Sequence, residues 1–293
     1  MNRRWICGDV WMDIFPLFDR LELGLNLALL SDRFDAEQSK FARTKDQHRN
    51  YVPNLRIDYI DHSVIEFLRA NKHIWDRSGT NLKMWSYKTE DEQPIWDVLT
   101  SEIWPIFSAS IHHLGIADVD HLDNLRRRTS PTILTDLDQL NSIETTDLFP
   151  DIIADDGPNA TACQMLSKWL HTPNKNGQPK RLRCRYYLNP PNLEWVNYFK
   201  EAFLRAISSV SYIIRIDHVE TMPTELFESV NEWTKEKLTL EKVSRYDDVV
   251  HWLLKRCPIS EKAAAIKWEN DEKLDGNLNY VKFDFWRGNR SSG

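Results

Sequence analysis

The chain has 293 residues, of which 41% are hydrophobic and 28% are charged, a composition typical of globular rather than disordered proteins. Its formal net charge of −6 argues against general nucleic-acid binding, which requires a basic surface. The N-terminus lacks an apolar stretch of signal-peptide length, and no window approaches about 18 uninterrupted apolar residues. The sequence therefore predicts neither secretion nor a membrane-spanning helix.

Four cysteines are widely spaced and form no CxxC pair: Cys7, Cys163, Cys184 and Cys257. This spacing fits neither a zinc site nor a disulfide framework, so we expect reduced thiols. Together with the missing signal peptide, it predicts a cytoplasmic and/or nuclear protein with no membrane partner.

The N-terminal stretch DVWMDIFPLFDRLELGLNLALLSDRF, residues 9–34, is unusually apolar. A short helix before Pro16 is predicted to precede a second helix, whose apolar stripe has helical spacing: Leu23, Leu27, Leu30 and Phe34. Two short helices with apolar residues on more than one side cannot bury all of them against each other. The surplus therefore packs either on the rest of the chain or on a partner.

The same stretch, from Ile6 to Asp35, resembles the F-box, a helical module that docks onto a Skp-family adaptor in cullin-based ubiquitin ligases. Ile6, the pair Asp9-Val10 and the pair Ile14-Phe15 match the opening of the family pattern, and LSDRF at 30–34 matches its ending. Cys7 stands where the family has a proline, which is a departure from the pattern. The resemblance implies an adaptor contact made by Val10, Trp11, Ile14, Phe15, Leu17, Leu23, Leu27, Leu30 and Phe34.

After a linker at 41–52, short alternating apolar runs recur at intervals of roughly 30 residues. These runs are predicted strands, and they align on Leu55, Leu82, Leu114, Ile143, Leu182 and Ile214. Helical patterns separate several of them: SVIEFLRANKHIW, IWDVLTSEIWPIF, NATACQMLSKWLHT with Asn159 as the expected cap, and LEWVNYFKEAFLRAI with Trp195, Phe199, Phe203 and Ile207 on one face.

Strands that alternate with helices predict right-handed βα units around a mostly parallel sheet. We therefore expect an α/β fold, in which a short F-box-like helical module precedes a degenerate, leucine-rich-repeat-like solenoid. An ordinary doubly wound α/β domain is the alternative. Near the C-terminus, EKLTLEKV and LNYVKFDFW are predicted strands, and RYDDVVHWLLKRC and EKAAAIKWENDEKL are predicted helices. This end is expected to cap the solenoid or to form a separate lobe.

Most of the chain, from Trp11 to Phe285, is similar to nematode-type F-box proteins with an F-box-associated region. The similarity lies in the runs YIDHSVIEFL, SGTN, SPTILTDLDQLNSIETTDLFPD, KWLHTPNKNGQPKRLRC and WLLKRCPI. It implies an F-box-like module at 1–40 and an F-box-associated region at 53–293 that binds a target protein. The ligands of that family are largely unknown, so the similarity names no target.

The sequence carries few signs of catalysis, since GxGxxG, GxxxxGK[ST], GxSxG and HExxH are all missing. The His- and Asp-rich run HHLGIADVDHLD is better explained by a strand and a polar turn than by a metal site. The basic run at 126–128 is expected to lie in an exposed loop. We therefore predict no enzyme, no cofactor and no metal. A hydrolase or transferase whose site is not legible in the sequence is the enzymatic alternative.

Four predicted strands share an apolar-basic-apolar pattern, which places four basic residues on one face of the sheet: Arg56, Lys83, Arg183 and Arg215. The same face carries, two positions later in each strand, Asp58, Trp85, Arg185 and Asp217. Arginine pairs well with acidic or phosphorylated groups and is common at interface hot spots. These eight residues are the predicted target-binding set, and a merely solvated face is the alternative.

The complete hypothesis is a substrate-recognition subunit of an SCF-type cullin ubiquitin ligase. Its N-terminal helices bind a Skp-family adaptor, which joins it to the cullin scaffold, and its C-terminal region binds an unknown target. The alternative is a repeat-type protein-binding module without a ligase role, whose N-terminal helices act as a cap.

Overall fold

The computed structural model describes residues 54–57, 60–86, 93–175, 177–185, 194–217, 226–244, 250–259 and 279–285. The predicted F-box-like module and the linker after it lie outside these ranges. So does the predicted helix EKAAAIKWENDEKL.

One ten-stranded sheet organises the described residues, in the spatial order β1-β10-β2-β3-β4-β5-β6-β9-β8-β7. The seven strands from β1 to β6 in this order, including β10, run parallel, and the last three join antiparallel. The strands are β1 Asn54–Ile57, β2 Thr80–Ser86, β3 Ile111–Ile116, β4 Ser142–Thr146, β5 Lys180–Arg185, β6 Tyr212–Asp217, β7 Phe227–Asn231, β8 Glu236–Ser244, β9 Val250–Pro258 and β10 Asn279–Phe285. The prediction of an α/β fold with a mostly parallel sheet is confirmed.

Helices connect the parallel strands. They are α1 His62–Ala70, α2 Lys72–Ser78, α3 Gln93–Val98, α4 Trp104–Phe107, α5 Val119–Arg128, α6 Ile133–Asp136, α7 Ala162–His171 and α8 Glu194–Arg205. A π-helical turn, Leu99–Ile103, joins α3 to α4, and a 3-10 turn, Ser108–Ser110, follows α4. From β1 to β6 every connection advances in one direction across the sheet. Right-handed connections therefore place these helices on one face, and the doubly wound alternative does not match this order.

The predicted alignment of the strands matches the register of the sheet. Leu55, Leu82, Leu114, Ile143, Leu182 and Ile214 lie in one continuous row, with Val281 of β10 between the first two. All of these side chains are buried and belong to the core that the sheet shares with the helices. The alternation of side chains along each strand then leaves the intervening residues on the opposite face.

Local side-chain chemistry fixes where several helices begin. Asp61 caps α1, since its side chain accepts a hydrogen bond from the backbone N–H of Val64 at 3.1 Å. Asp118 caps α5 in the same way. The cap of α7 is Thr161, which forms a reciprocal capping box with Gln164, so the expected cap at Asn159 is wrong.

Three further predictions are corrected by the structure. VHWLLKRCP is strand β9 rather than helix. Alternate residues such as Trp252 and Leu254 face the core, and the strand is hydrogen-bonded to β6 on one side and to β8 on the other. Ile207 lies beyond the end of α8 and is 91% exposed, so it is not on the buried face of that helix. The basic run 126–128 forms the last turn of α5 instead of a loop, where positive charge complements the helix dipole.

The C-terminal strands extend the same sheet. β7, β8 and β9 add to β6, whereas β10 returns to the other side and pairs in parallel with both β1 and β2. The described C-terminal strands therefore form neither a separate lobe nor a simple terminal cap. Sequence reasoning missed β7, and it had no means of placing β10 between the first two strands.

Candidate functional site: the polar face of the sheet

The face of the sheet opposite the helices is rich in charged side chains, and we call it the polar face. Across the seven parallel strands, one register row reads Arg56, Lys282, Lys83, Gly115, Glu144, Arg183 and Arg215. The structure thus places the four predicted basic residues, Arg56, Lys83, Arg183 and Arg215, in the same row, which we call the central row. Strands in a sheet are about 4.8 Å apart, so this row spans several side chains of a partner.

The other predicted target-binding residues are distributed as follows. Arg185 and Asp217 are register partners on β5 and β6, one pleat beyond the central row. Trp85 occupies β2 opposite Asp284 of β10. Asp58 lies outside the described residues.

Glu144 of β4 is a buried carboxylate at the centre of the polar face, only 3% of whose side chain is exposed. Its Oε2 lies 2.7 Å from Nζ of Lys83, and its Oε1 lies 2.5 Å from Nη2 of Arg185. Burial alone would raise the pKa of this carboxyl. The His113 imidazole and the cations of Lys83 and Arg185 outweigh burial and hold the pKa well below its usual range.

Lys83 reaches Glu144 by passing over Gly115. The three residues are neighbours in the central row on β2, β3 and β4. A Cβ atom on Gly115 would lie 2.6 Å from Cγ of Lys83, closer than real Cβ contacts allow. Glycine at 115 is therefore a condition for the Lys83–Glu144 ion pair.

A second buried carboxylate, Asp217 of β6, has two arginine partners. Its Oδ2 accepts a hydrogen bond from Nε of Arg183 at 2.6 Å, and its Oδ1 accepts one from Nε of Arg215 at 2.7 Å. Burial opposes ionisation, but the two guanidinium groups prevail and lower the pKa of Asp217. Two carboxylates, each between two cations, thus organise the centre of the face.

His113 borders the Glu144 cluster. Its Nδ1 is 2.9 Å from the hydroxyl of Ser142, and its Nε2 is 3.7 Å from Oε2 of Glu144. Among the contacts that the structure describes, Nε2 of His113 and Oδ1 of Asn81 have no hydrogen-bond partner, although both atoms are buried. Asn81 and His113 are register partners, so polar hydrogen-bonding capacity is concentrated beside the central row.

The polar face of the parallel strands is net basic, whereas the whole chain is acidic at −6. Its cationic positions are Arg56, Lys83, Arg181, Arg183, Arg185, Arg215 and Lys282, and its described acidic positions are Glu144, Asp217 and Asp284. Several of the cations keep part of their side chain exposed, for example Arg183 at 38% and Arg185 at 26%. The arrangement can bind an anionic partner through charge-assisted hydrogen bonds.

Sequence reasoning missed Glu144, Gly115 and Lys282. Glu144 and Gly115 occupy, in the runs NSIETTD and HHLGIAD, the strand position that is basic in the other runs, so extending the alignment would have found them. Lys282 lies in a correctly predicted strand, but its place beside Lys83 depends on the insertion of β10. The adaptor-contact residues, from Val10 to Phe34, all lie outside the described residues.

The described part of the chain holds no cluster of three or more His, Cys, Asp or Glu side chains suited to a metal ion. Cys163, Cys184 and Cys257 are free thiols. None of the described helices is both long and apolar enough to cross a membrane. No family model, curated protein or solved structure matches the chain.

Proposed function

We propose that the chain is a substrate-recognition subunit of an SCF-type cullin ubiquitin ligase. Residues 1–40 bind a Skp-family adaptor, and the polar face binds the target protein. The proposal rests on the F-box resemblance of the N-terminal residues for the adaptor, and on the central row for the target. Holding a target near the recruited ligating enzymes raises its effective concentration, so the chain needs no catalytic residue of its own. A cytoplasmic and/or nuclear location belongs to the same proposal.

The observation that supports target binding best is the central row, in which five cations from distant parts of the sequence lie on either side of Gly115 and Glu144. Its charge is opposite in sign to that of the whole chain, which suits an acidic or phosphorylated segment. The consecutive order of β2 to β6 also agrees with a degenerate, leucine-rich-repeat-like solenoid, which we propose as the architecture of this region. Binding surfaces of solenoids are built from successive repeats.

The second candidate is a repeat-type protein-binding module without a ligase role. It is supported by Cys7, which replaces the family proline, and it uses the same polar face. The two proposals differ only in whether the N-terminal residues bind an adaptor.

Target capture can be tested by removing the two buried carboxylates of the polar face together with every cation that pairs with them. The variant combines Glu144→Gln with Lys83→Gln and Arg185→Gln, and Asp217→Asn with Arg183→Gln and Arg215→Gln, so each buried carboxylate is removed with both of its cationic partners. Replacing only the cations by serine would leave Glu144 and Asp217 buried and charged without a cationic partner, at a large cost in stability. We expect the six-substitution variant to keep its circular dichroism spectrum and to lose proximity labelling of its targets in cells.

The matched control removes four cations outside the polar face, through Arg127→Ser, Lys175→Ser, Arg205→Ser and Lys235→Ser. These side chains are 69%, 75%, 82% and 72% exposed. The control is expected to label the same proteins as the wild type. Equal labelling by all three chains would contradict target binding at the polar face.

A further inference from the structure

Within the described ranges, most large apolar side chains that remain exposed lie at the antiparallel end of the sheet. Of the nine such side chains among the described residues, seven belong to this end: Tyr198, Leu204, Ile207, Leu226, Val230, Trp233 and Ile259. Trp233 and Ile207 are 85% and 91% exposed. Single exposed apolar residues are common, but a concentration of them at one place marks an interaction surface.

This surface is held in place by hydrogen bonds from buried groups. The amide of Asn231, which is 2% exposed, donates to the carbonyls of Phe203 and Ala206 at the end of α8. Its Oδ1 accepts hydrogen bonds from the backbone N–H groups of Trp233 and Thr234. The backbone at the end of α8 and in the β7–β8 turn is therefore held in one arrangement, so little backbone conformational entropy is left to lose on binding.

Strand β7 is the outer strand at this end. Within the described residues, Phe227–Asn231 pairs only with β8, so its outer edge presents backbone N–H and C=O groups that need partners. It contains no proline and carries one charged residue, Glu228. Such an edge is a template for another strand.

We propose that the β7 edge is a homodimer interface, in which β7 pairs antiparallel with β7 of a second copy about a two-fold axis through Ser229. This register uses all five residues of the strand and sets Glu228 opposite Val230 of the partner, twice. No like charges then face each other, and Lys237, which pairs with Val230 in β8, lies in the same row as the partner's Glu228. A two-fold interface needs a surface that complements itself, and this register provides one.

The exposed side chains of α8 also favour a second copy of the chain as the partner of β7. α8 packs against β7 on the helix side, and it keeps Tyr198 and Leu204 exposed at 42% and 47%. A two-fold axis beside β7 brings two α8 helices towards each other, so these side chains gain an apolar partner layer. A lone peptide strand added to the edge would leave them uncovered.

The test is sedimentation equilibrium of the full chain over a range of concentrations. The wild type is expected to show a monomer–dimer equilibrium. Val230→Glu places two glutamates opposite the partner's Glu228 residues, and we expect it to weaken the dimer at least about tenfold. Trp233→Ser, which leaves the edge itself unchanged, is also expected to weaken the dimer. Circular dichroism verifies that both variants remain folded.

A charge reversal tests the register. Glu228→Lys added to Val230→Glu pairs opposite charges across the axis, so it should restore the dimer. Ile153→Glu, at an exposed apolar position away from this end, is the matched control and should dimerise as the wild type does. A wild type that is monomeric at every concentration, a dimer indifferent to both Val230→Glu and Trp233→Ser, or a failure of the charge reversal to restore it would overturn the proposal.

Discussion

Two regions of the sheet bury carboxylates, but they do so on opposite faces. In the parallel region, Glu144 and Asp217 lie on the polar face, and their partner Arg183 keeps 38% of its side chain exposed. In the antiparallel region, Glu236 and Arg256 lie on the helix side and are 0% and 3% exposed. In both regions a cation pairs with the buried carboxylate. Only the first leaves cationic surface that a partner can contact.

The ion pair between Glu236 and Arg256, which we call the enclosed pair, stabilises the fold. Glu236 accepts hydrogen bonds from Ser209 Oγ and the backbone N–H of Val210, as well as from both Nε and Nη2 of Arg256. Arg256 also donates to the carbonyl of Ser208 and lies 5.3 Å above the ring of Phe203. The segment after α8 is thereby fixed to β8 and β9. The exposure of the cation, rather than the ion pair itself, therefore distinguishes the charged groups that a partner can contact from those that only stabilise the fold.

The largest effect should come from the enclosed pair. Glu236→Ala leaves Arg256 charged and buried without its carboxylate, so the free energy of unfolding should fall by about 3–5 kcal/mol in urea titration. Glu228→Gln removes an exposed carboxylate from the adjacent strand and should change the free energy of unfolding by less than about 1 kcal/mol. Equal losses in the two variants would refute the distinction between enclosed and exposed pairs.

A smaller effect is expected from Gly115→Ala on the polar face. The added Cβ collides with the Lys83 side chain, so the variant should lose roughly 1–3 kcal/mol of unfolding free energy. In a Lys83→Ala background the 2.6 Å contact with Cγ is removed and only a 3.2 Å contact with the Cβ of residue 83 remains, so the same substitution should cost much less. A double-mutant cycle in urea measures this coupling. A coupling energy of zero would show that Lys83 does not depend on passing over Gly115.

The smallest effect concerns acid stability. The pKa of Glu144 is lowered in the folded chain, so the stabilisation by its ion pairs is fully present above its unfolded pKa of about 4.3 and declines as the pH falls from that value towards the lower folded pKa. Glu144→Gln should cost about 1–2 kcal/mol at pH 7. Between pH 5 and pH 3 the wild type should lose stability more steeply than the variant. Parallel slopes in this interval would contradict the low pKa.

Much of this fold could be predicted because period-2 patterning is strong in the parallel strands. The alignment on Leu55, Leu82 and Leu182 reproduces the register of the sheet, and it correctly placed Arg183 and Arg215 on one face. The pattern says which face a side chain takes because alternation is a local property of the chain.

The remaining features depend on contacts between distant parts of the chain. VHWLLKRCP has neighbouring large apolar residues that suit either a helix or a strand, and only its pairing with β6 and β8 decides. The position of Lys282 follows from β10 entering between β1 and β2, which no local pattern specifies. Glu144 is acidic at a position that is basic in the other aligned strands. Its ion pair with Lys83 forms because the Lys83 side chain passes over Gly115.

The central claim is that the chain links a Skp-family adaptor to a target. The most direct measurement is calorimetric titration of purified adaptor into the full chain, compared with Ile14→Asp combined with Phe15→Ala. The account predicts saturable binding that is lost in the double variant, while the circular dichroism spectrum and the thermal midpoint stay the same. A wild type that takes up no adaptor would contradict the ligase proposal and leave a protein-binding module.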